Sequence, residues 1–196
     1  AGAGIVEQMN FKGAVAKVCG VDPDPRVTDN PYVHEGKVGT GEQIPYADEM
    51  FDVVFADNVL EHLENPEAVF VEVARVLKPG GVFLFKTPNR AHYMPLIARF
   101  TPHTFHAFIN RLRGRATVDT FPTRYKANCR RDVSRLSRLV GPHVQQMMLA
   151  EGRPEYMRIA APLYLLGIVY ERLVNSAEFF SGIRILLVGT LSKPVR

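Results

Sequence analysis

Cysteine is scarce in this chain. Its 196 residues hold two, Cys19 and Cys129, far apart in sequence. That excludes a disulfide framework and a cysteine-based zinc module, and it suits a reducing compartment. Long apolar runs are also missing. Uncharged stretches do not exceed twelve residues, as in 159–170, and that one is interrupted by Pro162 and Gly167. A membrane helix needs roughly 20 apolar residues, so none is expected. Internal repeats and low-complexity segments are absent, and the opening residues lack the pattern of a secretory leader. A cytoplasmic location is expected, with a membrane-peripheral one as the variant. What remains is an ordinary globular composition, 46% apolar and 22% charged, of a length that suits one domain.

The charge is divided along the chain. Residues 1–89 carry 7 Lys/Arg against 14 Asp/Glu, residues 90–140 carry 11 against 2, and residues 141–196 carry 6 against 4. The basic middle includes Arg111, Arg113, Arg115, Arg124, Lys126, Arg130, Arg131, Arg135 and Arg138. One reading is attraction to an anionic partner, such as a phosphorylated substrate or a membrane surface. The other is a solvated helix face balanced by the acidic first half. No nucleic-acid-binding module accompanies the charge, so nucleic acid is not an expected partner.

Strands and helices alternate. Ala14–Val21 reads as a short buried strand stopped by Asp22-Pro23-Asp24-Pro25. Phe51–Ala56 is a second strand, and helix is expected from Asn58 onward. Asn65 and Pro66 suit the cap and first position of a helix carrying Val69, Val73, Val76 and Leu77, stopped by Lys78-Pro79-Gly80-Gly81. Val82–Lys86 is a near-continuous apolar strand, as in a parallel sheet covered on both faces. Asn128 is a candidate cap for a helix to Leu139, with Gly141 as its stop. Val144–Leu149, Leu163–Val174 and Ile183–Leu191 read as strand, helix and final strand. The pattern implies an α/β fold.

The chemistry begins at the first residues. A glycine turn opening a helix offers free N–H groups and a positive dipole end, and Gly2 and Gly4 let a ligand approach the backbone closely. A tight turn explains the same glycines. Asp22 adds to the signal: 18 residues beyond Gly4, at the end of a strand, a carboxylate accepts from both ribose hydroxyls of an adenosine in a doubly wound fold. Asp24 is the weaker candidate. Because a glycine turn of this kind follows a strand, the chain is expected to be a fragment whose first strand is missing.

Three further motifs follow in order. They are Gly39-Thr40-Gly41-Glu42-Gln43-Ile44-Pro45-Tyr46 leading into Phe51-Asp52-Val53-Val54, then Val59-Leu60-Glu61-His62-Leu63, then Leu77-Lys78-Pro79-Gly80-Gly81. Over residues 1–89 the sequence resembles the class I S-adenosylmethionine-dependent methyltransferases. The branch it resembles is the type 11 small-molecule one, which includes the ubiquinone-biosynthesis O-methyltransferases. The resemblance implies a doubly wound, mostly parallel sheet with the final antiparallel strand inserted beside the LKPGG strand. It implies S-adenosylmethionine as cofactor. Gly2 and Gly4 would lie under its methionine portion, Asp22 with Pro23 at its ribose, Gly41 and Glu42 along its adenine, and Asp57 and Asn58 toward the sulfonium. The family often has Asp where this chain has Thr40. Asp52 and Lys78–Gly81 would serve the fold.

Candidate catalytic residues are His62, at the mouth of the implied site, and His92 and Tyr93, just beyond the third strand, where sheet ligands are met. Each also has a purely structural explanation as a packing or turn residue. His103 and His106 stand at i, i+3 with no Cys or carboxylate beside them, so no metal site is expected. The expected organisation is a single domain. Residues 1–89 would bind the cofactor. Residues 90–140 would form a basic aromatic cover over the acceptor site, with Tyr93 and Phe121 lining it. Residues 141–196 would close the sheet. The implied reaction is methyl transfer to a small-molecule acceptor, amphipathic or anionic. An NAD-dependent oxidoreductase, an inactive binding fragment and a peripheral membrane enzyme are the alternatives. The oligomeric state is not legible.

Overall fold

The computed structural model describes residues 7, 9–100, 122–154, 157–158 and 160–195. Strands β1 (Cys19–Asp22) and β2 (Glu35–Val38) pair in parallel as a two-stranded sheet. Strands β3 (Phe51–Asp57), β4 (Leu77–Pro88), β5 (His143–Ala150) and β6 (Leu186–Ser192) form a second sheet in the order β3-β4-β6-β5. β3 and β4 are parallel, and β6 runs antiparallel to both β4 and β5. The last strand therefore sits beside the LKPGG strand, as the resemblance implies. Helices α1 (Pro66–Val76), α2 (Tyr93–Phe100), α3 (Arg130–Val140) and α4 (Ala161–Ser176) connect them.

Local chemistry sets most boundaries. Asn65 caps α1, its Oδ1 accepting from Ala68 N–H at 3.2 Å with Pro66 at the first position. Gly141 ends α3 in the left-handed region at φ 96°, open to glycine at no steric cost. Several expectations shift. The first strand starts at Cys19 rather than Ala14, and the strand expected over Val82–Lys86 extends over Leu77–Pro88. Asn128 does not cap α3, because its buried amide is already spent on donating to Thr87 Oγ1 at 2.6 Å and Pro88 O at 3.1 Å. The helix starts after Cys129 instead. Helix does not begin at Asn58, which takes φ 53°. Only a 3-10 turn, Leu60–His62, intervenes before α1. The final strand starts at Leu186 rather than Ile183. Arg184, buried just before it, donates to Val174 O at the end of α4 and to Leu149 O in β5.

Register divides the main sheet into two faces. On one, Val54 and Ala56 of β3 pair with Phe83 and Phe85 of β4, and these with Leu191 and Gly189 of β6. α1 and α3 cover that face with Val69, Phe70, Val73, Val133 and Leu136, all buried. Phe70 meets Phe83 edge to face at 5.8 Å. Each such side chain contributes about 1.5–3 kcal/mol on burial. The other face carries Val53, Phe55, Leu84 and Met148, which are 40–49% exposed, with the Phe11 ring resting on Phe55.

Candidate active site

The parallel strands β1 and β2, and β3 and β4, each deliver their C-terminal ends into loops that hold the predicted residues. Gly2 and Gly4 lie outside the described residues, as do His103, His106, Phe121 and the arginines 111, 113 and 115. Asp22 ends β1, half-buried. Its Oδ1 accepts from Asp24 N–H at 2.8 Å, and its carbonyl accepts from Gly39 N–H at 3.1 Å. This Asx turn beside Pro23 fixes the carboxylate, while Oδ2 has no hydrogen-bond partner among the described residues. Asp24 is committed elsewhere. It caps the following 3-10 turn and binds Arg26, whose hydrogen bonds pull its carboxyl down to about 2. The acid left for a ligand is Asp22.

The loop after β2 is held against α1. Arg75 donates to Ile44 O and Tyr46 O, both at 2.9 Å, and pairs with Asp48. Ile44 N–H donates to Glu72 at 2.8 Å. Glu42 accepts from Asn65 N–H at 3.0 Å, so its carboxylate ties the loop to the start of α1. Gly41 lies against Val69, where an added Cβ would come within 3.2 Å. An open cavity of about 500 Å³ is lined by Val38, Gly39, Thr40, Gln43, Ile44 and Pro45 with Glu72 and Arg75. These bonds also join the two-stranded sheet to the main one.

At the end of β3, Asp57 pairs with Lys86 at 2.8 Å and accepts from Asn58 Nδ2 at 2.8 Å. Asn58 N–H donates to Lys86 O, and the left-handed turn at Asn58 swings the chain off the sheet. Behind them lies a buried polar chain that sequence reasoning missed. Asn128 donates to Thr87 Oγ1, and Thr87 donates to Glu61 Oε2 at 2.9 Å. Burial raises the Glu61 carboxyl. Glu61 was the unread position inside the V-L-x-H-L motif. His62, next to it, has Nδ1 3.0 Å from Pro122 O and Nε2 3.9 Å from Glu61.

His92 and Tyr93 lie beyond β4. His92 is 1% exposed. Met94 N–H donates to its Nδ1 at 3.2 Å, so the ring proton sits on Nε2, which faces Glu151 Oε2 at 3.5 Å. Burial drives the imidazole down to about 4 and the Glu151 carboxyl up to about 7. Tyr93 packs on His92 with ring centres 4.0 Å apart, and Tyr170 closes on Tyr93 at 5.0 Å. Glu151 and Tyr170 come from distant segments, and nothing in their local sequence marks them as His92's neighbours.

Comparison with known proteins bears on the first half of the chain and on the fold. Residues 1–85 match the family described as methyltransferase domain. The ubiquinone biosynthesis O-methyltransferase of Maricaulis maris is 39% identical over 75 residues, 38% of this chain and 28% of the relative. The dimethylglycine N-methyltransferase of Parasynechococcus marenigrum is 42% identical over 50 residues, 26% of this chain and 18% of the relative. The aligned stretch thus spans less than a third of these curated relatives. Among solved structures, geranyl diphosphate C-methyltransferase from Streptomyces coelicolor superposes with a TM-score of 0.60 at 15% identity. That match covers 98% of this chain and 68% of the other. Residues 1–85 are thus similar to a methyltransferase domain, and the described residues have the fold of class I methyltransferases.

Proposed function

We propose that the chain binds S-adenosylmethionine and directs transfer of its methyl group to a small-molecule acceptor, amphipathic or anionic. The carrying observation is the state of Asp22: a carboxylate at the end of a parallel strand, locked by its own turn, with one oxygen uncommitted among the described residues. That is what a ribose diol requires. Gly2 and Gly4 take the methionine portion, Asp22 and Pro23 the ribose edge, and the Gly41–Glu42 loop with its adjoining cavity the adenine edge. Asp57 and Asn58 face the sulfonium end. The family match over the segment holding all these residues supports the assignment.

The cofactor supplies an already activated methyl group, so alignment and exclusion of water are the protein's share. Asp57 is positioned by Lys86 and by the turn at Asn58. Tyr93 is the acceptor-side residue, held rigid by its contacts with His92 and Tyr170. His92, with both nitrogens turned inward, orients Tyr93. His62 stands at the rim on Pro122. Residues 90–140 are the acceptor cover in this reading, and their basic character supports an anionic or amphipathic acceptor.

The test is calorimetry with S-adenosylmethionine. Hydrogen bonds to a charged group are worth about 1.5–3 kcal/mol, so Asp22→Ala should weaken binding roughly 10- to 150-fold. Asp24→Ala should change it far less. Equal losses in the two variants, or no loss at Asp22, would refute the ribose assignment. Incubating the protein with labelled cofactor and a metabolite extract then identifies the acceptor class.

A further inference from the structure

Helix α4 is apolar around most of its circumference: in APLYLLGIVYERLVNS only Glu171 and Arg172 are charged. A helix of that kind is ordinarily covered on every side. Here one side is covered. Gly167 and Val174 face inward, and a Cβ at Gly167 would come within 2.5 Å of Pro154. The opposite side carries Leu165, Leu166, Val169 and Leu173, each 53–63% exposed. The stripe runs along a helix roughly 24 Å long, and Phe179, just beyond the helix in the next turn, is 90% exposed.

The surroundings of the stripe are basic. Arg172 stands three residues beyond Val169 on the same side. Arg153 and Arg158 flank the start of the helix, where they line an open cavity of about 370 Å³ with Ala160, Ala161 and Tyr164. Of the carboxylates described nearby, Glu171, half-buried, lies on the half of the helix opposite the stripe and accepts from Asn175, and Glu178, although 80% exposed, is held by Arg184. No helix among the described residues is long and apolar enough to cross a membrane. An exposed apolar stripe edged by arginines suits a surface that is apolar below and anionic above. A second copy of the chain fits less well, since a two-fold contact through this face would bring two arginine-edged stripes together with no acidic rim to match them.

We propose that this face of α4 docks on an anionic lipid bilayer. Leu165, Leu166, Val169, Leu173 and Phe179 enter the headgroup–acyl boundary, and Arg153, Arg158 and Arg172 meet lipid phosphates. The inference does not depend on the methyl-transfer reading.

The test is flotation with vesicles of equimolar phosphatidylglycerol and phosphatidylcholine, compared with phosphatidylcholine alone, at low and high salt. The protein should float with the anionic vesicles and much less with the neutral ones, and salt should weaken the binding. The double variant Leu166→Glu/Val169→Glu should lower the partition coefficient at least roughly tenfold. Arg172→Ala should lower it roughly fivefold, the effect of one basic residue near such a surface. Both changes lie on exposed positions, and unchanged thermal melting confirms that they leave the fold intact. The proposal is overturned if the protein does not float with anionic vesicles or if neither variant lowers flotation. It is also overturned if sedimentation velocity shows a dimer that the double variant splits while flotation stays the same.

Discussion

His92 and Glu151 make opposite demands on pH, and separating them gives a sharp test of the buried pair. The two side chains are 1% and 5% exposed, with Nε2 and Oε2 3.5 Å apart. Burial lowers the imidazole from 6.5 to about 4 and raises the carboxyl from 4.5 to about 7. Glu151 keeps its proton in the folded state where the unfolded chain has lost it. Its stabilising contribution is full below pH 4.5 and disappears as pH rises to about 7. His92 behaves in the reverse sense. Its contribution is full above pH 6.5 and disappears as pH falls to about 4. Between those limits the pair holds one proton in both states, so its two slopes cancel in the wild type.

Each single variant removes one slope. Relative to wild type, Glu151→Gln should gain stability as pH rises from 4.5 to about 7. His92→Gln should gain stability as pH falls from 6.5 to about 4. One pKa unit corresponds to about 1.4 kcal/mol, which bounds each change at about 3 kcal/mol. Urea unfolding across this pH range measures the effect. Subtracting each variant's profile from that of the wild type cancels the remaining groups, such as Glu61 and Asp24. Difference profiles that are flat, or that tilt the same way in both variants, would refute this account of the pair.

Other consequences concern the sheet and its polar support. At Gly189 an added Cβ would lie 2.3 Å from Phe85 Cζ, so Gly189→Ala should cost about 1–3 kcal/mol in thermal unfolding. Phe85→Leu in the same chain should recover part of that loss, and an unchanged melting temperature in Gly189→Ala would sink the packing argument. Asn128→Ala removes the amide that donates to Thr87 Oγ1 and Pro88 O, at a cost of about 1–3 kcal/mol. Its thermal unfolding should show the loss even though Asn128 does not cap α3. A variant as stable as wild type would show that the polar chain to Glu61 contributes nothing.

Much of the fold is local and therefore legible in the sequence. The period of apolar residues in α1, its Asn65-Pro66 start, the left-handed stop at Gly141 and the β-branched run at Phe51–Ala56 each arise from interactions within a few residues. The glycine-to-acid spacing singled out Asp22 for the same reason, since strand length and turn chemistry fix where that carboxylate falls. The motifs of residues 1–89 carried the family resemblance because they recur as contiguous strings.

Long-range packing decided the rest. Asn128 looks like a cap in sequence, but Thr87, 41 residues away, captures its amide. Ile183–Leu191 looks like one strand, but Arg184 is held by the end of α4 and by β5, so pairing begins only at Leu186. His92 looks like a candidate base. Its protonation is set by burial, with Glu151 3.5 Å from Nε2 and the Tyr93 and Tyr170 rings packed against the imidazole. The apolar stripe of α4 could not be told from core in sequence either, because periodicity records which residues are apolar and not which face finds a partner. The chain by itself determined the elements and the family of motifs, through short-range sterics and hydrogen bonds. Which polar groups meet, and which apolar faces stay open, depends on contacts between segments far apart in the chain, and only the tertiary structure decides those.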